Sequence, residues 1–214
     1  MHGPQVGASA ITVLQWVNWA DQDYVAAREL LLSGSLVQGV VFSNTAVEKY
    51  LKAIQAVQGV HVQRGHDPMR LYTSCKSRGA LPPVNEDFLA ALNKAYALRY
   101  PDALKDGFNI VLVQIKLLAE LDATVHALRA PFRFQSNSQT TVRMRLELLL
   151  EKSDHRLTER NSAFTDYSRV SLFAGLSECY ELRMLSGGTI IEALYTARVT
   201  DDGVFDVEAL KPGT

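Results

Sequence analysis

The sequence predicts an α+β chain, with an N-terminal up-and-down helical bundle of about five helices and a small antiparallel β-rich segment after it. Three observations carry this. Apolar residues recur at steps of three and four through the first 130 residues. The texture turns polar and irregular after Pro131. Beyond that, alternating residues and a Ser186-Gly187-Gly188 break read as strands and a turn.

The first helix begins near Thr12, where Gln15 stands at capping-box spacing. Leu14, Val17, Tyr24, Ala27 and Leu31 form its inner face, and Gly34 stops it. Ser35 and Gln38 repeat the capping-box spacing, and Val37, Val40, Asn44, Val47, Leu51 and Ile54 give the second helix one continuous seam up to Gly59. The connection at Gly34 is too short for anything but an antiparallel helical hairpin. Asn44 on that seam reads as a satisfied core amide, with a register device at a dimer seam as the alternative. Asp67 is placed as an N-cap with Pro68 at the first helical position of a third helix. Asn85 caps a fourth, which Pro101 ends. A fifth runs from about Asp106 to Leu128 with Phe108, Val111, Leu112, Ile115, Leu118, Leu121 and Val125 inward.

The division expected from this is a bundle over 12–130, a linker over 131–141 and a β-rich extension over 142–210. In the extension, residues 142–151 alternate as a strand would, although Arg143 and Glu147 also stand at helical i,i+4 spacing. Tyr180–Leu185 and Thr189–Thr200 form a hairpin across Ser186-Gly187-Gly188, and Asp201-Asp202-Gly203 turns the chain again before Val204–Leu210.

Composition sets the limits on function. With 22 basic against 23 acidic residues the net charge is −1, so a nucleic-acid site has to be a local basic patch. Cys75 and Cys179 have no Cys or His at metal-ligand spacing and read as reduced thiols. No cofactor or metal is expected. Met1–Ala10 lacks the basic and apolar regions of a secretion signal, and no apolar run is long enough to span a bilayer, so the expected location is the cytoplasm, without a membrane partner. Neither a Gly-rich phosphate loop nor a Gly-x-Ser-x-Gly elbow occurs.

The residues Ala20-Asp21-Gln22-Asp23-Tyr24, then Thr45-Ala46-Val47-Glu48-Lys49-Tyr50-Leu51-Lys52-Ala53, then Gly65-His66-Asp67, and finally Tyr96 with Arg99-Tyr100-Pro101-Asp102 occur in an order that resembles the HEPN family. The resemblance covers roughly residues 12–129. It implies a bundle of four to five helices and a homodimer. It also implies one of three roles known in the family: ribonucleases of toxin and antiphage systems, non-catalytic companions of small nucleotidyltransferases, and nucleotide-binding modules. The ribonuclease members use an Arg and a His a few residues apart. Arg99 matches the Arg, but Tyr100 to Gly107 contains no His. Metal-free RNA cleavage needs a base and an acid that His supplies near neutrality. The expectation is therefore a non-catalytic module that binds a nucleotide, RNA or a nucleotidyltransferase-type partner. The candidate phosphate cleft is Arg99, Lys49, Lys52, His66 and Asp102. The alternatives are a ribonuclease that draws its His from elsewhere, and a structural partner-docking protein. On the bland side, Glu48 and Lys52 form a surface i,i+4 ion pair, Arg99 pairs with Asp102 or the last carbonyls of its helix, and His66 braces a loop.

Overall fold

The computed structural model describes residues 10–132 and 143–205. The expected linker from residue 133 onward and the expected strand beyond residue 205 lie outside the described residues, as do residues 1–9.

Helices α1 (Ala10–Leu32) and α2 (Leu36–Val57) form the expected antiparallel hairpin. Its corner is a Schellman turn. Ser35 N–H donates to the Leu30 carbonyl at 2.8 Å and Gly34 N–H to the Leu31 carbonyl at 3.2 Å, with Gly34 at φ +81°. No side-chain cap forms at Ser35, so the capping box expected there is absent. Gly39 lets the two helices close up: a Cβ on it would stand 2.7 Å from the Leu31 side chain and 3.1 Å from the Leu31 nitrogen.

Helices α3 (Pro68–Lys76) and α4 (Glu86–Ala95) begin as the sequence predicts. Asp67 accepts from Arg70 N–H, and Asn85 from Asp87 and Phe88 N–H. After α4 the chain tightens into 3-10 turns, Tyr96–Arg99 and Pro101–Ala103, because Pro101 forces Tyr100 out of helical geometry, to φ −132° and ψ 80°.

The fifth helix differs from expectation. Asn109–Val113 is a strand, β1, and α5 (Gln114–Arg129) starts only at its end. The run Ile110-Val111-Leu112-Val113 is β-branched apart from Leu112, and Ile110 and Leu112 are its buried residues, an alternation of period two rather than 3.6. The other correction is the strand expected over 142–151: Arg145–Glu151 is a helix, α6, with Leu146 buried. Glu147 reaches back to the Met144 N–H at 2.8 Å, a local helix-start bond that outweighs the alternation. Short helices α7 (His155–Thr158) and α8 (Arg169–Leu172) follow.

The predicted hairpin is present as β2 (Leu176–Met184) and β3 (Ile190–Arg198), and β1 completes an antiparallel sheet in the order β1-β2-β3. Asn109 faces Arg183, and Cys179 faces both Val113 and Tyr195. The fold is therefore α+β, with eight helices and three strands among the described residues.

One large apolar cluster unites the bundle with the later segments: Val17, Val47, Leu92 and Leu121 share it with Leu146, Leu157 and Leu182. Two buried polar networks cross the same boundary. Arg28 pairs with Asp122 and donates to the Arg156 and Glu159 carbonyls, while Asn161 donates to the Tyr24 hydroxyl, which donates to Asp122. Arg129 bonds both oxygens of Asp21 at 2.8 and 3.0 Å and pairs with Glu147 at 2.5 Å, and Tyr50 completes this network by donating to Asp21. Burial holds the Tyr24 and Tyr50 hydroxyls well above the ordinary phenol range, so both act as neutral donors.

Candidate functional site

A cleft of about 550 Å³ opens beside α2, lined by Asp23 of α1, by Val41, Phe42, Thr45 and Lys49 of α2, by His66, and by Tyr96, Arg99 and Tyr100. Three of the five residues singled out from the sequence, Lys49, His66 and Arg99, therefore meet on one wall-to-wall surface.

The local sequence explains each placement. Phe42, Thr45 and Lys49 follow one another at steps of three and four along α2, a stripe beside the buried seam. His66 precedes the Asp67 cap, so the start of α3 fixes it. Tyr96 and Arg99, three residues apart in a 3-10 turn, stand one above the other. The Arg99 guanidinium carbon lies 4.6 Å from the Tyr96 ring centre and 5.1 Å from that of Tyr100. The guanidinium donates to the hydroxyls of both tyrosines. Its polar contacts are therefore neutral, and no ion pair joins it to a carboxylate among the described residues. The expected pairing with Asp102 does not form; Asp102 is exposed in the next turn, outside the cleft lining.

His66 also stacks on Tyr96, ring centres 5.3 Å apart. Its Nδ1 lies 2.9 Å from Glu48 Oε2. Glu48 is buried, and its other oxygen takes Lys52 Nζ at 2.5 Å. Lys52 also sits over the Trp16 ring at 5.6 Å. The predicted Glu48–Lys52 pair thus exists but is internal rather than a surface pair, and Lys52 neutralises Glu48 from inside instead of lining the cleft. Lys49 is held by Asp23 at 2.5 Å. Burial raises the Tyr96 hydroxyl above its ordinary range, and the nearby Arg99 opposes this.

The cleft therefore offers one cation without a carboxylate partner, one paired cation, an imidazole and three aromatic faces. Such a surface fits anionic, planar groups. A Glu48 carboxylate on Nδ1 would leave His66 Nε2 as the free ring atom, the arrangement that orients a general base. Sequence reading missed Asp23, Val41, Phe42, Thr45, Tyr96 and Tyr100 as lining residues. The α2 stripe was a legible signal for Phe42 and Thr45; Asp23 comes from another helix, and only packing brings it here. No group of three or more His, Cys, Asp or Glu side chains arranged to hold a metal ion occurs among the described residues. No helix among them is long and apolar enough to cross a membrane.

The family model described as HEPN domain matches residues 13–124, more than half of the chain, and this span contains every lining residue of the cleft. No curated protein and no solved structure matches the chain. The order of motifs along α1 to the Arg99-Tyr100-Pro101-Asp102 turn, the helical hairpin they build and the extent of the match agree: the chain belongs to the HEPN domain family.

Proposed function

We propose that this cleft binds a phosphate-bearing ligand, a nucleotide or a single-stranded stretch of RNA, and that the protein works as a binding module. The observation that carries the reading is the Arg99 guanidinium, held against Tyr96 and Tyr100 without a carboxylate partner among the described residues, in the lining of a cleft that also holds Lys49 and His66. Guanidinium forms a bidentate fork with phosphate, and the flanking rings offer stacking faces to bases. Phe42, 40% exposed, and Tyr100, 55% exposed, are open to such contact. Labelled nucleotides and short RNA titrated against the wild type and Arg99→Ala test it. Equal binding by both proteins, or binding by neither, overturns the cleft assignment.

A second reading, metal-independent RNA cleavage, is favoured by the Glu48–His66 contact. His66 Nε2 would take the proton from a ribose 2′-hydroxyl. The 2′-oxygen would then attack phosphorus and the 5′-oxygen would leave with a proton from solvent, giving a 2′,3′-cyclic phosphate. RNA incubated with the protein in EDTA decides. Absence of cleavage sinks this reading, as does cleavage that survives both His66→Ala and Arg99→Ala. We also propose a role in a toxin–antitoxin or defence system beside a nucleotidyltransferase-type partner, a reading that family membership supports; a pull-down with the product of a neighbouring gene tests it, and a chain that stays alone counts against it.

A further inference from the structure

β3 is the outer strand of the sheet, and all of its nine residues except the half-buried Ala197 are exposed. Ile190, Ile191, Leu194 and Tyr195 are 39%, 47%, 77% and 40% exposed, so apolar side chains stand open on both faces. Natural edge strands are blunted by charged side chains, above all Lys, by Pro, by bulges or by short length, and the charges of β3, Glu192 and Arg198, are of opposite sign. β3 has no Lys and no Pro, and its pairing with β2 runs without a break from Leu176–Arg198 to Met184–Ile190. After β3 the chain runs to Phe205, which packs against Phe88, and among the described residues no strand pairs with the outer edge of β3.

The hydrogen-bond phase along the strand is fixed. Leu185 N–H donates to the Thr189 carbonyl directly opposite, so the odd-numbered residues of β3 are the ones bonded to β2. The β1–β2 ladder agrees, since Met184 N–H donates to the Phe108 carbonyl and the even-numbered residues of β2 face β1. The backbone groups of Ile190, Glu192, Leu194, Thr196 and Arg198 therefore point out of the sheet edge.

We propose that this edge pairs antiparallel with β3 of a second copy of the chain, in the register that sets Glu192 opposite Arg198. A two-fold antiparallel pairing must match outward-pointing residues with each other. Shifting it by one step sets Glu192 opposite Thr196 or Thr200 instead. The chosen register alone joins opposite charges, and symmetry makes the pair twice. It also sets Leu194 against Thr196, Ala193 against Ala197, and Tyr195 on the axis facing its own copy. Glu192 takes the Tyr180 hydroxyl through Oε1 at 3.0 Å, which leaves Oε2 for Arg198 of the partner subunit. The pairing extends the sheet across the two-fold, satisfies the outward N–H and C=O groups and covers Leu194. The phosphate cleft takes no part in it, so failure of either idea leaves the other standing.

Sedimentation of the full chain tests the pairing, read as the dimer dissociation constant. Glu192→Arg and Arg198→Glu, each alone, turn both attractive pairs into repulsive ones and are expected to weaken the dimer by about tenfold or more. Combining them restores it. Leu194→Lys places a charge on the outward edge while leaving every β2–β3 backbone bond in place, and it is expected to give a monomer with an unchanged far-ultraviolet circular dichroism spectrum. Tyr195→Cys, made with Cys179→Ala because Cys179 is the in-chain neighbour of that position, is expected to form an intersubunit disulfide across the axis, where Cα atoms of a pair not joined by hydrogen bonds stand about 4.5 Å apart. A wild-type chain that stays monomeric at tens of micromolar overturns the proposal. So does a dimer that survives Leu194→Lys and both single reversals, or a double reversal that fails to recover association.

Discussion

Glu48 and His66 belong to different elements, yet their side chains meet at 2.9 Å, and the same buried carboxylate holds Lys52 on its inner side. One acid thus balances a cation facing the core and orients an imidazole facing the cleft. Glu48→Gln keeps the shape and removes the charge, leaving the buried Lys52 ammonium uncompensated. The expected loss is about 2 kcal/mol of unfolding free energy. Adding Lys52→Met is expected to recover most of it, whereas His66→Ala, at a side chain 57% exposed, changes stability by less than about 0.5 kcal/mol. Urea denaturation of the three variants checks this; a neutral Glu48→Gln would mean that Lys52 is solvated.

Arg99 is built for geometry as much as for charge. Its planar guanidinium lies against two rings and donates to two hydroxyls. An ammonium reproduces the charge but neither the fork nor the stacking. Arg99→Lys is therefore expected to weaken nucleotide binding nearly as much as Arg99→Ala, by about tenfold or more. Thermal unfolding should stay where it is, since the side chain is exposed. Fluorescence anisotropy with a labelled nucleotide reads the first effect and a melting curve the second. Full binding by Arg99→Lys would reduce the residue to a point charge.

Acid is expected to loosen the contact between α1 and the residues after α6. Asp154 caps α7 and pairs with Arg156, which lowers its carboxyl from 3.8 to about 2. Between those values the unfolded chain binds a proton that the folded chain does not. The stabilisation is therefore complete above this window and is lost as pH falls through it. Asp202, lowered to about 2 by Lys116, acts in the same direction. The turn that Asp154 organises supplies the Arg156 and Glu159 carbonyls that receive Arg28, so its release reaches the core. Asp154→Asn keeps an acceptor for the cap and is expected to flatten the acid limb of a stability–pH profile. A carboxyl resonance of Asp154 titrating at an ordinary value would contradict this.

The bundle was legible because its signals are local. The Asp67 and Asn85 caps, the Gly34 stop and the α1 and α2 seams each follow from neighbouring residues, and each is present. The two errors of element type fell where local and tertiary signals compete. Asn109–Val113 continues the apolar run of α5, and what makes it a strand is the β2 partner about seventy residues later in the chain. Arg145–Glu151 alternates in sequence, but Leu146 is its buried residue and Glu147 closes a helix start. At the site, residue type pointed to Lys49, His66 and Arg99, and the α2 stripe could have added Phe42 and Thr45. Lys52 lies elsewhere than expected because sequence spacing gives a neighbour but not a direction: it stands three positions after Lys49, yet one faces Glu48 inside and the other the cleft. Asp23 arrives from another helix, and no spacing rule reaches it.

Asn44 carries the last prediction. It was expected to be a satisfied core amide, but it is fully buried on the α2 seam and neither side-chain atom has a partner among the described residues. Its neighbours differ: Ser43 donates to the Gly39 carbonyl and Thr45 to those of Val41 and Phe42, short side chains turned back on their own helix. The Asn amide, one bond longer, has no such outlet here. A buried amide without partners costs about 1–3 kcal/mol. Leu copies its γ-branched shape in carbon, so Asn44→Leu is expected to raise the unfolding free energy by about 1 kcal/mol once some crowding is allowed for. Chemical denaturation measures it. A loss of similar size would mean that the amide is bonded within the core in solution.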